Sequence, residues 1–247
     1  MSRIATLFLF LCIASSGNAE TLRVLALSSQ PFFYDHNGSP AGIEYEILSY
    51  FAKTRDLEIE VEYVDGFAEL LESIAQGEAD IAAGTITITA ERVQKMDFSA
   101  PYFPVQVVLV ERSGETSRVL DDLKGFKVAA FEKTTAEEAL LAIGGVEVVT
   151  RQGVPGMLDA VAAGEIRAAA GDSSAIIPVI DDYPGLEISL TFGEQQQFGF
   201  ALPKSSPYTL ALSEHILDLK ESGIFFRLVT EHMGAQASSL IRASRAQ

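Results

Sequence analysis

Apolar residues along this chain switch repeatedly between the period of a strand and the period of a helix. They do so in two similar runs joined by two extended stretches. Leu22 to Leu27 is a near-continuous apolar strand, after which Ile43, Ile47, Leu48 and Phe51 recur at helical spacing. Ile59, Val61 and Tyr63 then alternate with Glu60 and Glu62, the pattern of a half-exposed strand. Leu70, Leu71 and Ile74 form a second helical stripe that Gly77 is placed to end, and Asp80 to Ile86 is the next strand. Together these segments make one βαβαβ unit. A second unit opens after the apolar strand Val105 to Val110, with strand Lys127 to Phe131, a Thr134-Thr135 cap followed by Glu137 and Glu138, and strand Val146 to Val149. Helix Met157 to Ala163 and strand Ala168 to Ala170 complete it, and the chain returns through Phe198 to Leu202 into a helical pattern over Leu210 to Leu219.

This order predicts an α/β fold in two lobes, each a βαβ-based sheet flanked by helices. The extended crossings near Phe103 to Gln106 and Gln197 to Gly199 predict a double-stranded hinge, with a site in the cleft between the lobes. Residues 20–104 and 198–234 would form lobe one, and 105–197 lobe two. The stretch from Ala235 to Gln247 is small and polar and reads as a frayed tail.

Met1 to Ala19 has the layout of a secretory signal peptide: a basic Arg3, the apolar run Ile4 to Ile13 and small residues before Glu20. Leu11 stands where a lipoprotein signal takes a small residue, so cleavage after Ala19 is expected rather than an anchor on Cys12. No later stretch approaches the roughly 20 apolar residues of a membrane span. Without the leader the chain has no cysteine, hence no disulfide and no thiolate metal site. His36, His215 and His232 are widely spaced, so neither a metal nor a cofactor is expected. The net charge is −16, one unit more negative once Arg3 is gone, which argues against nucleic acid and anionic membranes as partners.

The segments Pro31 to Ile47 (PFFYDHNGSPAGIEYEI), Gly77 to Phe103, Val128 to Glu138 (VAAFEKTTAEE) and Ala169 to Ala175 (AAGDSSA) together resemble the extracellular solute-binding proteins of family 3. These are the polar amino-acid-binding group of ABC transport systems. The most specific part is Thr85 to Arg92 followed by Asp97 to Tyr102. The resemblance runs from about Leu22 to Gly234 and implies a type II periplasmic-binding-protein fold. It also implies a monomeric, non-catalytic periplasmic receptor that hands an amino acid to an inner-membrane ABC permease.

An amino acid presents a carboxylate and an ammonium on one carbon, so its receptor needs a planar cation for one and a buried anion for the other. Arg92, in the Thr-capped segment Thr89-Ala-Glu-Arg, suits the carboxylate, with donors from Thr85 and Thr87 beside it; the alternative is a surface arginine paired with Glu91. The resemblance implies that Asp172 accepts from the ammonium, although an aspartate at a strand-to-helix junction also makes a good N-cap. It implies a second hold on the carboxylate at Thr135, with Thr134, at the start of a helix where capping alone is the simpler role. It places Phe67 as a large apolar contact, and Phe32, with Phe33 and Tyr34, lies on the first loop.

One departure affects the choice of ligand. The connection Leu27-Ser28-Ser29-Gln30 lacks the Asp and the aromatic residue usual in relatives, which argues against lysine, arginine and histidine. Two other readings share the fold. The chain could be a sensory module acting on a separate membrane or cell-wall protein, or an enzyme like the cyclohexadienyl dehydratases. The latter carry a glutamate shortly after the aspartate of the AAGDSSA segment, where this chain has Ser173, Ser174 and Ala175, so no catalytic acid is expected there.

Overall fold

The computed structural model describes residues 20–234. The expected leader, Cys12 and the tail lie outside them. The first run of elements is β1 (Glu20–Leu27), a small hairpin β2 (Tyr34–His36) and β3 (Ser39–Ala41), α1 (Ile43–Lys53), β4 (Leu57–Val64), α2 (Phe67–Gln76), β5 (Ile81–Ala83), α3 (Ala90–Lys95) and β6 (Asp97–Phe98). The second is β7 (Phe103–Arg112), β8 (Lys127–Ala129), α4 (Thr135–Ile143), β9 (Glu147–Val149), α5 (Gly153–Ala162), β10 (Ala168–Asp172), α6 (Ser173–Ile176) and β11 (Leu186–Phe198). The chain then returns through β12 (Ala201–Leu202) to α7 (Thr209–Glu221) and α8 (Ile224–Met233).

These strands form two main sheets, β4-β1-β5-β12-β6 and β11-β7-β10-β8-β9. In the first, β1 lies parallel to both β4 and β5 and is covered on both faces. Leu22, Val24 and Ala26 face a core shared with α1, α7 and α8, while Leu25 faces Leu70 and Ile74 of α2. That double burial explains why Leu22 to Leu27 is apolar throughout rather than alternating. β4 forms the sheet edge, and its outward Glu58, Glu60 and Glu62 put charge on a border that would otherwise invite another strand.

β7 and β11 are the crossings. They pair antiparallel from Phe103↔Phe198 to Arg112↔Leu186. Phe103, Val105 and Phe198 are packed in the first sheet's core, whereas Val108, Val110 and Leu186 are packed in the second's. Both connections therefore leave one lobe and enter the other as neighbouring strands.

One expectation needs correction, and two elements lie beyond what the sequence pattern showed. The strand expected over Asp80 to Ile86 stops at Ala83, because Gly84 at φ +139° and Thr85 at φ +55° turn the chain out of the sheet. The full length of β11 was not visible as a pattern: its register slips between Ile188 and Leu190 and again between Phe192 and Gln196, which scrambles the alternation. Helix α8, whose Phe225, Leu228 and Val229 close the first core, was also missed.

The start of α1 depends on Gly42. Its φ is +111°, and a Cβ there would lie 2.8 Å from the Pro31 carbonyl oxygen and overlap the Phe32 carbonyl outright. Those two carbonyls accept from Ile43 N–H at 3.2 Å and Glu44 N–H at 2.8 Å, satisfying donors that a helix start leaves orphaned. Gly42→Ala should cost at least about 2 kcal/mol, by steric overlap and left-handed strain together. Urea unfolding of the variant measures this, and an unchanged midpoint would mean that the loop yields freely.

Candidate functional site

Arg92 is the hub around which the candidate residues meet. Thr89 caps the short helix α3 by accepting from Arg92 N–H at 3.2 Å, which turns the side chain inward until the residue is only 6% exposed. Its Nη1 donates to the Thr87 carbonyl at 2.8 Å, and its Nη2 donates to the Lys133 carbonyl, at the opposite sheet's helix α4, at 2.7 Å. The guanidinium also stands 5.0 Å over the Phe67 ring, a cation–π contact at the first turn of α2. Glu91 instead pairs with Lys95 at 2.6 Å, so the surface pairing of Arg92 with Glu91 does not form. Among the described residues no carboxylate lies at ion-pair distance from Arg92. Burial weakens the guanidinium's hold on its proton, while Glu138, Asp172 and Glu91 act the other way.

Asp172 ends β10 and precedes α6, across from Arg92. Its carboxylate makes no capping hydrogen bond, so the expected N-cap role is not taken up. Burial pushes the carboxyl up to about 7, against the opposing pull of Arg92. An aspartate with no hydrogen-bond partner among the described residues and the charge of Arg92 acting on it is arranged to receive a positively charged donor.

The threonines divide. Thr87 is 3% exposed, bridges to Phe198 of the crossing strand, and is flanked by Ile88 N–H donating to the Gln197 carbonyl at 2.9 Å. Thr135 is 8% exposed, and its hydroxyl donates to Gln196 Oε1 at 2.9 Å, tying the start of α4 to β11. Thr134 caps α4: its Oγ1 accepts from Glu137 N–H at 3.3 Å and donates to the Phe131 carbonyl at 2.7 Å.

Thr85 is a correction. Its N–H donates to Glu44 Oε1 at 2.9 Å, and its hydroxyl donates to the Gly84 carbonyl at 2.8 Å and meets Ser29 Oγ at 3.2 Å. Both donors are thus used inside the protein rather than offered to a ligand. Phe32 is a second correction. It is 1% exposed and packs edge-on against Phe103 and Phe198, because the carbonyls that start α1 hold its loop down on the core.

Of the five non-glycine residues with positive φ among the described residues, two lie at this place. Thr85 at φ +55° and Lys133 at φ +60° are non-glycine residues in the left-handed region, one on each side of Arg92. Such conformations persist where the surroundings over-determine them, commonly at binding sites. Two open grooves of about 540 and 550 Å³ lie elsewhere on the second sheet, lined by residues including Val119 and Phe192 in one and Phe126 and Arg167 in the other. Neither contains any of the residues gathered around Arg92.

Two sheets linked by a pair of crossing strands, with a buried arginine and an unpartnered aspartate facing each other beside the crossing, define a two-lobed binding protein of the type II periplasmic class. Residues 22–235 match the bacterial extracellular solute-binding proteins, family 3, and the chain belongs to that family. It is similar to the amino-acid-binding protein AabA of Dichelobacter nodosus, 26% identical over 198 residues that cover 77% of this chain and 78% of that one. It is also similar to the membrane-bound lytic murein transglycosylase F of Desulfosudis oleivorans, 26% identical over 220 residues; 86% of this chain matches, but only 48% of that enzyme. Among solved structures, an ancestral arginine-binding protein bound to arginine superposes with a TM-score of 0.78 at 25% identity, over 87% of this chain and 98% of that one. No helix among the described residues is long and apolar enough to cross a membrane.

Proposed function

We propose that this chain is a periplasmic receptor that closes on an amino acid or a close derivative and delivers it to an ABC permease, without catalysis. The observation that carries the proposal is the buried Arg92, held between the two lobes with Asp172 opposite. In this reading the remaining N–H donors of Arg92 take the ligand carboxylate, with the Thr87 and Thr135 hydroxyls beside it. Asp172 takes the ammonium, and Phe67 walls the pocket next to the guanidinium. The loop Leu27-Ser28-Ser29-Gln30 brings no carboxylate toward the ligand side chain, which favours neutral or acidic side chains over basic ones.

A thermal-shift series of the protein without its leader, against the twenty common L-amino acids, tests this. A true ligand at a hundred times its dissociation constant adds about 2.7 kcal/mol. Stabilisation by glutamine or glutamate but not arginine is the expected pattern; no shift with any of them would overturn the reading.

The lobes, residues 20–104 with 198–234 and residues 105–197, are proposed to move as bodies about β7 and β11. A ligand that touches both stabilises the closed state through contacts absent from the open one. Small-angle scattering of the monomer should show a smaller radius of gyration with ligand than without. A value unchanged at saturation would argue for a protein that does not hinge.

The similarity to half of a lytic transglycosylase favours one further reading, a sensor that reports ligand to a separate cell-wall protein. Uptake of the radiolabelled ligand by cells lacking this chain separates the two: lost uptake supports transport, and normal uptake supports sensing.

A further inference from the structure

Glu44 is a carboxylate inside the first lobe, with 0% exposure, on the first turn of α1. Its Oε1 accepts from Thr85 N–H at 2.9 Å and from the Tyr102 hydroxyl, while its Oε2 has no hydrogen-bond partner among the described residues. No cation among the described residues acts on it. The other fully buried carboxylate among the described residues, Glu111, is treated quite differently: Arg167 lies 3.1 Å away and Ser117 donates both its N–H, at 2.7 Å, and its hydroxyl, at 2.9 Å. An ordinary structural glutamate in this protein is thus neutralised by a cation, and Glu44 is not. A buried carboxyl held this way costs stability unless something depends on it.

What it touches is the turn that leads into the binding cluster. Gly84 and Thr85 both have positive φ, +139° and +55°, and Thr85 is β-branched, the residue type that tolerates such a backbone least. Successive amides in such a turn form a concavity that favours an anion. Glu44 Oε1 fills it.

We propose that Glu44 is a positioning residue for the cleft: through Thr85 N–H and the Tyr102 hydroxyl it holds the left-handed turn at Gly84-Thr85, and thereby aims Thr87 and Arg92. The effect on binding rests on the reading of the cleft given above; the hold on the turn does not. Protonation should loosen that hold, because a neutral carboxyl is a weaker acceptor for Thr85 N–H than a carboxylate. Burial pushes Glu44 up to about 7, against the opposing pull of the Tyr102 hydroxyl and the backbone amides of Thr85 and Gly84. Tyr102, the only other titratable side chain among the described residues that bears on it, is itself raised well above its ordinary value and stays protonated in that range. The turn would therefore be held more firmly above neutral pH than below it.

The experiment follows the Thr85 amide by NMR, with no ligand present. In the parent protein its proton shift should titrate with a midpoint near 7. Glu44→Gln, which keeps an acceptor but cannot ionise, should abolish the titration. Tyr102→Phe removes a donor that lowers the Glu44 pKa, so it should move the midpoint upward. Glu44→Leu removes the acceptor and should speed Thr85 amide exchange at least tenfold. Should that variant not fold, adding Thr85→Gly, which relieves the left-handed strain, should restore folding. A Thr85 amide that does not titrate in the parent, or titrates unchanged in Glu44→Gln, would overturn the proposal, as would exchange unaltered in a folded Glu44→Leu protein. Calorimetry with whichever amino acid gives the thermal shift then reads the consequence for binding. A Thr85 amide behaving as stated with no amino acid bound would leave the hold intact and sink only the reading of the cleft.

Discussion

Replacing Arg92 by alanine should weaken amino-acid binding roughly thirty- to several-thousand-fold. Breaking one partner of a buried charge pair costs roughly 2–5 kcal/mol, at about 1.4 kcal/mol per decade of affinity. Arg92→Lys should recover only part of the loss, because an ammonium keeps the charge but not the fork that can hold a carboxylate and two carbonyls together. A side chain facing an open cleft would be expected to leave stability untouched. Arg92 is not such a side chain: it is nearly buried and donates to the Thr87 and Lys133 carbonyls on opposite sides. The alanine variant should therefore also lose about 1–3 kcal/mol of stability. Calorimetric titration with circular dichroism as the folding control measures both effects. A folded Arg92→Ala protein that binds within threefold of the parent would place the carboxylate elsewhere.

Stability should fall as pH rises from about 4.5 to 7, on account of Glu44 and Asp172. Both carboxyls are raised to about 7 in the folded protein, from ordinary values of 4.5 and 3.8. Unfolded, each releases its proton first, so over that window the native state binds more protons, and raising the pH favours unfolding. The contribution is fully present below the unfolded value and gone once the pH passes the folded one. For Glu44, which is wholly buried, the loss comes to about 3 kcal/mol. Glu44→Gln cannot titrate, so relative to the parent it should gain that amount between pH 4.5 and 8. Asp172→Asn should move in the same direction. Urea denaturation across the range reads both. A difference between parent and Glu44→Gln that stays flat with pH would show that Glu44 ionises normally, whatever its surroundings.

Much of the candidate site could be read from residue order, because the groups proposed to meet a polar ligand sit where local structure puts them. Arg92 follows a threonine cap, Asp172 follows a strand, and Thr134 and Thr135 open a helix; each is a local event with a local signature. What escaped was everything that depends on a distant partner. Glu44 lies 41 residues from Thr85 and 58 from Tyr102. Its signal was nonetheless present: with Ile47, Leu48 and Phe51 it falls on the apolar stripe of α1, where an acidic residue has to be explained. Thr85 looked like a donor to ligand because nothing local says that its N–H is already taken. Phe32 looked like a candidate ligand contact because nothing local says that the two carbonyls that start α1 hold its loop against the core.

Periodicity alone gives the α/β class and both βαβ runs, since burial on one face or on both writes itself directly into the spacing of apolar residues. It cannot settle which lobe an element joins once the chain doubles back. Phe103 and Phe198 belong to one core, and Val108 and Leu186, on the same two strands, belong to the other. Nor can it say which polar groups remain unsatisfied. Arg92 and Asp172, 80 residues apart in the chain, act on each other's charge only through the tertiary structure, and a buried hydrogen bond is decided by the whole set of neighbours that exclude water from it.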